Sequence, residues 1–168
     1  MFTTAFQNID GMHDALGCKA DEIAGNLSSD IEIFTEVWGC KCELYFENYT
    51  LSQVAPQKHL GVKKGRKSGG FLILIKKDLE EKVKILKKSD NFIWMEVEKN
   101  TINNSQNNFL IVASYIHDVT SSYYDDKIFD ELRRDILTFC SDDKPVMLIG
   151  DLNGRTGWLN DLYEDPDA

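Results

Sequence analysis

Apolar positions in this chain fall into short runs whose spacing changes along its length. Phe2 to Ile9 reads as a first strand. From Met12 to Leu27 the apolar positions 12, 16, 20, 23 and 27 keep helical spacing, with Gly17 and Gly25 as weak points. Ile31 to Thr35 is a short buried strand, and Leu44 to Val54 reads as extended structure on a sheet edge. Gly69-Gly70 turns the chain into a strand over 71–75, for which Phe92 to Glu98 is the expected antiparallel neighbour. The polar stretch Thr101 to Asn108 predicts a mobile hairpin loop, followed by a strand over 109–115. Tyr124 to Cys140 predicts a helix with Ile128, Leu132, Ile136 and Cys140 along one face. The last strand covers 146–150, with Pro145 tolerated at its start. Strands that end in polar side chains, with helices packed outside, imply an α/β class.

A length of 168 residues is that of one domain and buries most of its unfolded-state surface. Hydrophobic content of 42% and charged content of 28% are ordinary for a soluble globular protein. No basic-then-apolar leader is expected, and no apolar run approaches the roughly 20 residues that span a bilayer. Cys18, Cys40, Cys42 and Cys140 are read as reduced thiols of an intracellular protein, nuclear or cytoplasmic. Cys40-Lys41-Cys42 is too tight for the usual zinc pair.

The formal charge of −9 argues at first against nucleic acid, but its distribution changes that picture. Lys58 to Lys88 holds 11 basic and 3 acidic residues, while the remainder holds 8 basic and 25 acidic. A polyanion would meet the basic stretch while the acidic remainder faces away or binds cations. Lys76 to Lys88 is equally readable as a solvated lysine-rich face. Lys63-Lys64-Gly65-Arg66-Lys67, beside the glycine turn, leans toward phosphate contact.

The segment richest in chemistry is Gly150-Asp151-Leu152-Asn153, which closes the apolar run Val146 to Ile149. Side chains at i and i+2 of an extended chain lie on the same side. Asp151 and Asn153 would then face one pocket, the carboxylate positioning a water and the amide donating to it. The competing reading is a strand followed by an Asx-type turn, which Asp, Asn and Gly also favour.

Four further segments weigh on that choice. They are Gln7-Asn8-Ile9-Asp10-Gly11, the strand Asp30 to Trp38 with Glu36 near its end, the basic glycine turn 65–70, and the strand ending in Tyr115. In this order they resemble the endonuclease/exonuclease/phosphatase superfamily, which includes DNase I and the apurinic/apyrimidinic endonucleases. Glu36-Val37-Trp38-Gly39, Tyr123-Tyr124 before a helix, and the closing Gly-Asp-Leu-Asn-Gly-Arg-Thr-Gly look most like the endonuclease domains of non-LTR retrotransposons. The resemblance runs from about Asn8 to Gly157. It implies a DNase I-like, four-layer α/β sandwich of two mostly antiparallel sheets flanked by helices. Superfamily members close on a strand and loop carrying Ser-Asp-His, whose Asp and His complete the active site; no Ser-Asp-His occurs here, so residues 1–168 alone are expected to be a poor nuclease or none. Residues 1–168 therefore look like the N-terminal two-thirds of such a domain, with the second sheet incomplete. A neighbouring strand edge and apolar face would be left uncovered, so low solubility or self-association is expected. No obligate oligomer is inferred.

The resemblance also distributes roles. Glu36 is the candidate metal ligand, because a lone carboxylate ending an apolar strand is costly unless solvated, paired or bound to a cation. Asp10 is the second candidate, and carboxylate and water ligands suit Mg²⁺, or Mn²⁺ in its place, better than zinc. Asp151, Asn153, Tyr115 and Asn8 form the catalytic set, with Asn8 orienting Asp151 or a phosphate oxygen. Each has a plainer reading: an exposed strand-end acid for Glu36, a turn cap for Asn8, a half-buried aromatic for Tyr115. Arg155, Arg66 and Lys67 are candidate phosphate contacts, although Arg155 would equally pair with an acid. His117, which follows Ile116, is read as a surface histidine.

The implied activity is metal-dependent phosphodiester hydrolysis on DNA, as in a retrotransposon endonuclease beside a reverse transcriptase domain of the same polyprotein. A catalytically inactive nucleic-acid-binding or interaction module is the alternative, and a phosphatase of the same superfamily is a third reading.

Overall fold

The computed structural model describes residues 2–9, 23, 25–37, 46–55, 68–101, 106–140 and 144–154. Its strands are β1 (Thr4–Asn8), β2 (Ile31–Thr35), β3 (Tyr49–Val54), β4 (Phe71–Lys76), β5 (Val83–Lys88), β6 (Phe92–Val97), β7 (Phe109–Tyr115) and β8 (Val146–Asp151). A 3-10 turn, Lys77–Lys82, joins β4 to β5, and helix α1 (Ile128–Phe139) precedes β8. They form two four-stranded mixed sheets, ordered β1-β2-β4-β3 and β5-β6-β7-β8. The pairs β1/β2 and β7/β8 are parallel, and the other pairs are antiparallel.

Alternation along the strands explains the layers. Ile31, Ile33, Phe71, Ile73 and Ile75 of the first sheet meet Ile93, Met95, Ile111 and Ala113 of the second in one core. The residues between them face outward. Phe34, Leu72 and Leu74 pack with Val37, Phe46, Ile23 and Leu27 on the outer side of the first sheet. Phe92, Trp94, Leu110 and Val112 pack beneath Ile128 and Leu132 of α1. β2, β4, β6 and β7 are apolar on both faces because each is covered on both, so their runs are continuous instead of alternating.

Three expectations are corrected. Phe92 to Val97 does not pair with the strand over 71–76: β6 lies between β5 and β7 in the other sheet, while β4 lies between β2 and β3. The missing piece was β5, concealed within a lysine-rich stretch. Val83 and Ile85 enter the core, and a register shift between Ile85 and Lys87 aims the Lys87 ammonium at α1. There it donates to Glu131 at 2.8 Å and to both Asp135 oxygens at 2.7 Å. Lys76 likewise pairs with Asp30 at 2.9 Å, so these two lysines are not merely a solvated face. On α1, Ile136 is 44% exposed, whereas Asp135 is buried and Phe139 packs against Trp94. The buried face therefore runs through Ile128, Leu132, Asp135 and Phe139, because Lys87 makes a buried carboxylate tolerable.

The helix expected over 12–27 lies outside the described residues except at 23 and 25–27, and the loop expected over 101–108 does so at 102–105. Among the described residues, no helix is long and apolar enough to cross a membrane, and Cys140 is a free thiol.

Candidate active site at the strand ends

Two parallel pairs place four carboxyl-terminal strand ends together. β1 and β2 end in register at Asn8 and Thr35, and β7 and β8 end in register at Tyr115 and Asp151. β4 runs antiparallel to β2, so Phe71 pairs with Thr35 and the Ser68-Gly69-Gly70 turn joins the same end. β1 and β8 are the edges of their sheets, and a side-chain bond bridges them: Asn8 Nδ2 donates to Asp151 Oδ2 at 2.8 Å.

The glycine that precedes Asp151 has a steric reason. A Cβ on Gly150 would lie 2.0 Å from the Ser114 carbonyl oxygen, so only glycine lets β8 approach β7 at this point. Beyond Asp151 the chain turns. Asn153 adopts φ 44, its backbone N–H donates to Asp151 Oδ1 at 3.0 Å, and its Nδ2 donates to the Ile116 carbonyl at 2.7 Å. The chain is thus not extended through Asn153, and the Asx-type turn weighed as an alternative is present. The amide ties the loop after β8 to the loop after β7, and the Asp151 carbonyl accepts from the Ile116 N–H at 2.9 Å.

Glu36 leaves β2 with φ 60, a left-handed conformation uncommon for a non-glycine residue. The turn brings its half-buried carboxylate between two donors. The Tyr115 hydroxyl donates to Oε1, and the Gly69 N–H donates to Oε2 at 3.2 Å. Gly69 itself has φ 74, which glycine adopts without penalty. Burial, reinforced by the hydrogen bond to Glu36 and the charges of Glu36 and Asp151, holds the Tyr115 phenol well above the ordinary tyrosine value. It is therefore a neutral hydroxyl with a proton to donate.

His117 is not at the surface. It is 5% exposed, with its ring edge-on to Tyr115 at 4.8 Å and stacked on Tyr123 at 5.5 Å. Its Nε2 forms a hydrogen bond with Ser68 Oγ at 3.1 Å. Burial lowers the imidazole pKa against the opposing pull of Glu36 and Asp90, so the ring is uncharged at neutral pH. Its signal in the sequence was its position two residues after Tyr115, which on an extended chain shares the tyrosine's side.

The structure thus brings Asn8 to Asp151 and Glu36 to Tyr115, with Asn153 anchored beside them. Asp10, Arg155, Arg66 and Lys67 lie outside the described residues, as do Cys18, Cys40 and Cys42. Among the described residues no group of three or more His, Cys, Asp or Glu side chains is placed to hold a metal ion. The donors that do gather are hard oxygens, and both the Glu36 and Asp151 charges act on the Tyr115 hydroxyl. Such a set suits a Mg²⁺-type ion, which takes one or two carboxylates and keeps several waters.

No protein-family model matches the chain, and neither does any of the curated proteins compared with it. Solved structures do match. The AP endonuclease LMAP from Leishmania major superposes with a TM-score of 0.59 at 12% identity, over 90% of this chain and 55% of that one. An endonuclease/exonuclease/phosphatase family protein from Bacteroides thetaiotaomicron gives 0.56 at 17% identity, over 90% and 63%. D. rerio TDP2, solved with a single-strand DNA product, gives 0.52 at 15% identity, over 92% and 61%. The fold is therefore the DNase I-like α/β sandwich of endonuclease/exonuclease/phosphatase proteins, and the chain spans 55 to 63% of the length of these three structures.

Proposed function

We propose that this chain carries the metal-dependent phosphodiester-hydrolysing site of a DNA endonuclease, most similar in its motifs to those of non-LTR retrotransposons. The observation that carries the reading is the pairing of Asn8 with Asp151 at 2.8 Å beside the Glu36–Tyr115 contact. Four polar side chains from four different strands meet at one end of an otherwise apolar core.

In this reading Asp151 orients the attacking water and accepts its proton. Asn8 holds one Asp151 oxygen and the Asn153 backbone N–H holds the other, so the carboxylate has one orientation. The protonated Tyr115 hydroxyl donates to Glu36 and so orients that carboxylate beside the phosphate. Glu36 is the ligand for Mg²⁺ or Mn²⁺, with Asp10 as its proposed companion. When bound, the cation polarises the phosphate and balances charge on the leaving oxygen. Arg66, Lys67 and Arg155 are the proposed contacts to the DNA backbone. DNA as substrate is supported by the D. rerio TDP2 structure with its single-strand DNA product. A duplex target, and a reverse transcriptase domain in the same polyprotein, rest on the Glu36-to-Gly39 and Gly150-to-Gly157 segments.

The second reading is a DNA-binding module without turnover. A plasmid-nicking assay with Mg²⁺ separates the two, run beside a DNA-retention assay. Nicking that chelation and Asp151→Ala both abolish supports the nuclease. Retention of DNA without nicking, unchanged by Asp151→Ala, supports the binding module and sinks the catalytic assignment.

A further inference from the structure

Both oxygens of Glu36 are held by groups that lean on one side chain. The Gly69 N–H and the Tyr115 hydroxyl are the two donors, and His117 packs against both residues. Its Cε1 lies 3.6 Å, and its Nε2 3.7 Å, from the point where a Cβ of Gly69 would stand. Its ring edge meets Tyr115 at 4.8 Å. On the far side it stacks on Tyr123, from the segment between β7 and α1, and its Nε2 bonds Ser68, the residue before Gly69. The imidazole therefore fastens the turn ahead of β4 to the end of β7, and Glu36 is suspended between those two elements. Glu36 itself sits at φ 60, just beyond the last residue of β2.

We propose that His117 is a positioning residue that fixes the Glu36 carboxylate for a divalent cation, acting through Ser68-Gly69 and Tyr115. It deepens the function proposed above and rests on that reading for its purpose. Its buried position makes direct contact with substrate unnecessary. Outer partners of a ligating carboxylate act by restricting its orientation, and their loss commonly weakens metal affinity by about 10-fold or more. A ring that only filled space would be replaceable by any ring of like size.

His117→Phe makes that distinction, because phenylalanine preserves the aromatic contacts and deletes the bond to Ser68. Ser68→Ala deletes the same bond from the other side, together with the Ser68 contact to the Tyr115 side chain. Two quantities are read on the 168-residue chain: exchange of the Gly69 amide with solvent deuterium, and paramagnetic broadening during Mn²⁺ titration. The expected result is that each variant melts close to the parent, exchanges Gly69 faster, and needs about 10-fold more Mn²⁺ for equal broadening. The double variant should be no worse than Ser68→Ala alone, since the His117–Ser68 bond is removed by either change. His117→Gln, which restores a hydrogen-bonding side chain, should recover part of the Mn²⁺ affinity. Parent-like Gly69 exchange and Mn²⁺ affinity in both variants would overturn the proposal. Faster Gly69 exchange with unchanged Mn²⁺ affinity also overturns it, leaving His117 as a brace for the turn alone. If the parent chain itself shows no Mn²⁺ broadening, the metal site falls with the purpose given to His117, and the Gly69 exchange still reports whether the ring braces the turn.

Discussion

Glu36, Tyr115 and Gly69 stand at the ends of interior strands, β2, β7 and β4, whereas Asn8 and Asp151 stand at the ends of the edge strands β1 and β8. The inner group is packed behind an apolar core and braced by a buried histidine. The outer group is more open: Asn8 and Asn153 are exposed, and the bond that joins the two edges spans 143 positions of sequence. The apolar residues around β8 are open as well, with Val146, Leu148 and Leu152 each 43 to 45% exposed, while Phe71 to Leu74 on β4 are fully buried. A carboxylate meant to hold an ion gains from a fixed surround. One meant to exchange protons with a water needs access to solvent. Under the proposed function, the division of the site between interior and edge strands would supply both.

If that division is right, Asp151→Ala should give the largest change and the cleanest one. Loss of a positioned base commonly costs about 10²–10⁴-fold in rate, so nicking should fall by that order while the melting temperature stays near the parent's. A variant that melts much earlier would show that Asp151 holds the edges together, contrary to the comparison. Glu36→Gln comes next. It keeps the side chain's size and one of its two acceptors but removes the charge, so Mn²⁺ broadening should weaken about 10-fold or more. An unchanged titration would place the ion elsewhere.

A smaller effect is expected at the open edge. Exposed apolar residues on an edge strand favour association, so Leu148→Lys should shift sedimentation toward monomer without changing Mn²⁺ affinity. Equal sedimentation of the two proteins would remove the edge as the cause of any association. The smallest effect concerns pH. The Lys144 ammonium, 2.6 Å from Glu96, lowers that carboxyl below its ordinary value in the fold and so ties the segment before β8 to β6. The unfolded chain then binds more protons as pH falls. The contribution is full above the ordinary glutamate range and is lost as pH drops through the lowered value. For this partly exposed pair it amounts to about 1 kcal/mol or less. Amide exchange across β8 should quicken with acid in the parent, and Lys144→Met should flatten that dependence. An identical acid response in both would assign it to other groups.

Much of this arrangement was legible in the chain alone. Runs such as Ile31 to Thr35 and Phe109 to Tyr115 mark strands because only elements covered on both faces are continuously apolar. The polar residue after each run marks the end where chemistry gathers. Gly150, and the Gly69-Gly70 turn, declare places where a side chain or a negative φ would not do. Periodicity reports which residues avoid water, however, and not which neighbour covers them. Phe92 to Val97 is as apolar as a partner of β4 would be, and only the packed sheets place it beside β5 and β7. The same holds for Ile136, apolar yet exposed, and for Asp135, charged yet buried because Lys87 arrives from 48 residues away. His117 carried no mark of burial beyond its spacing from Tyr115, since its partners Ser68 and Tyr123 come from separate loops. Strand identity and the positions of the functional side chains along the chain were set by local composition. The pairing of strands, and with it the meeting of Asn8 with Asp151 and of His117 with the Glu36 donors, was decided by long-range packing that a one-dimensional pattern does not encode.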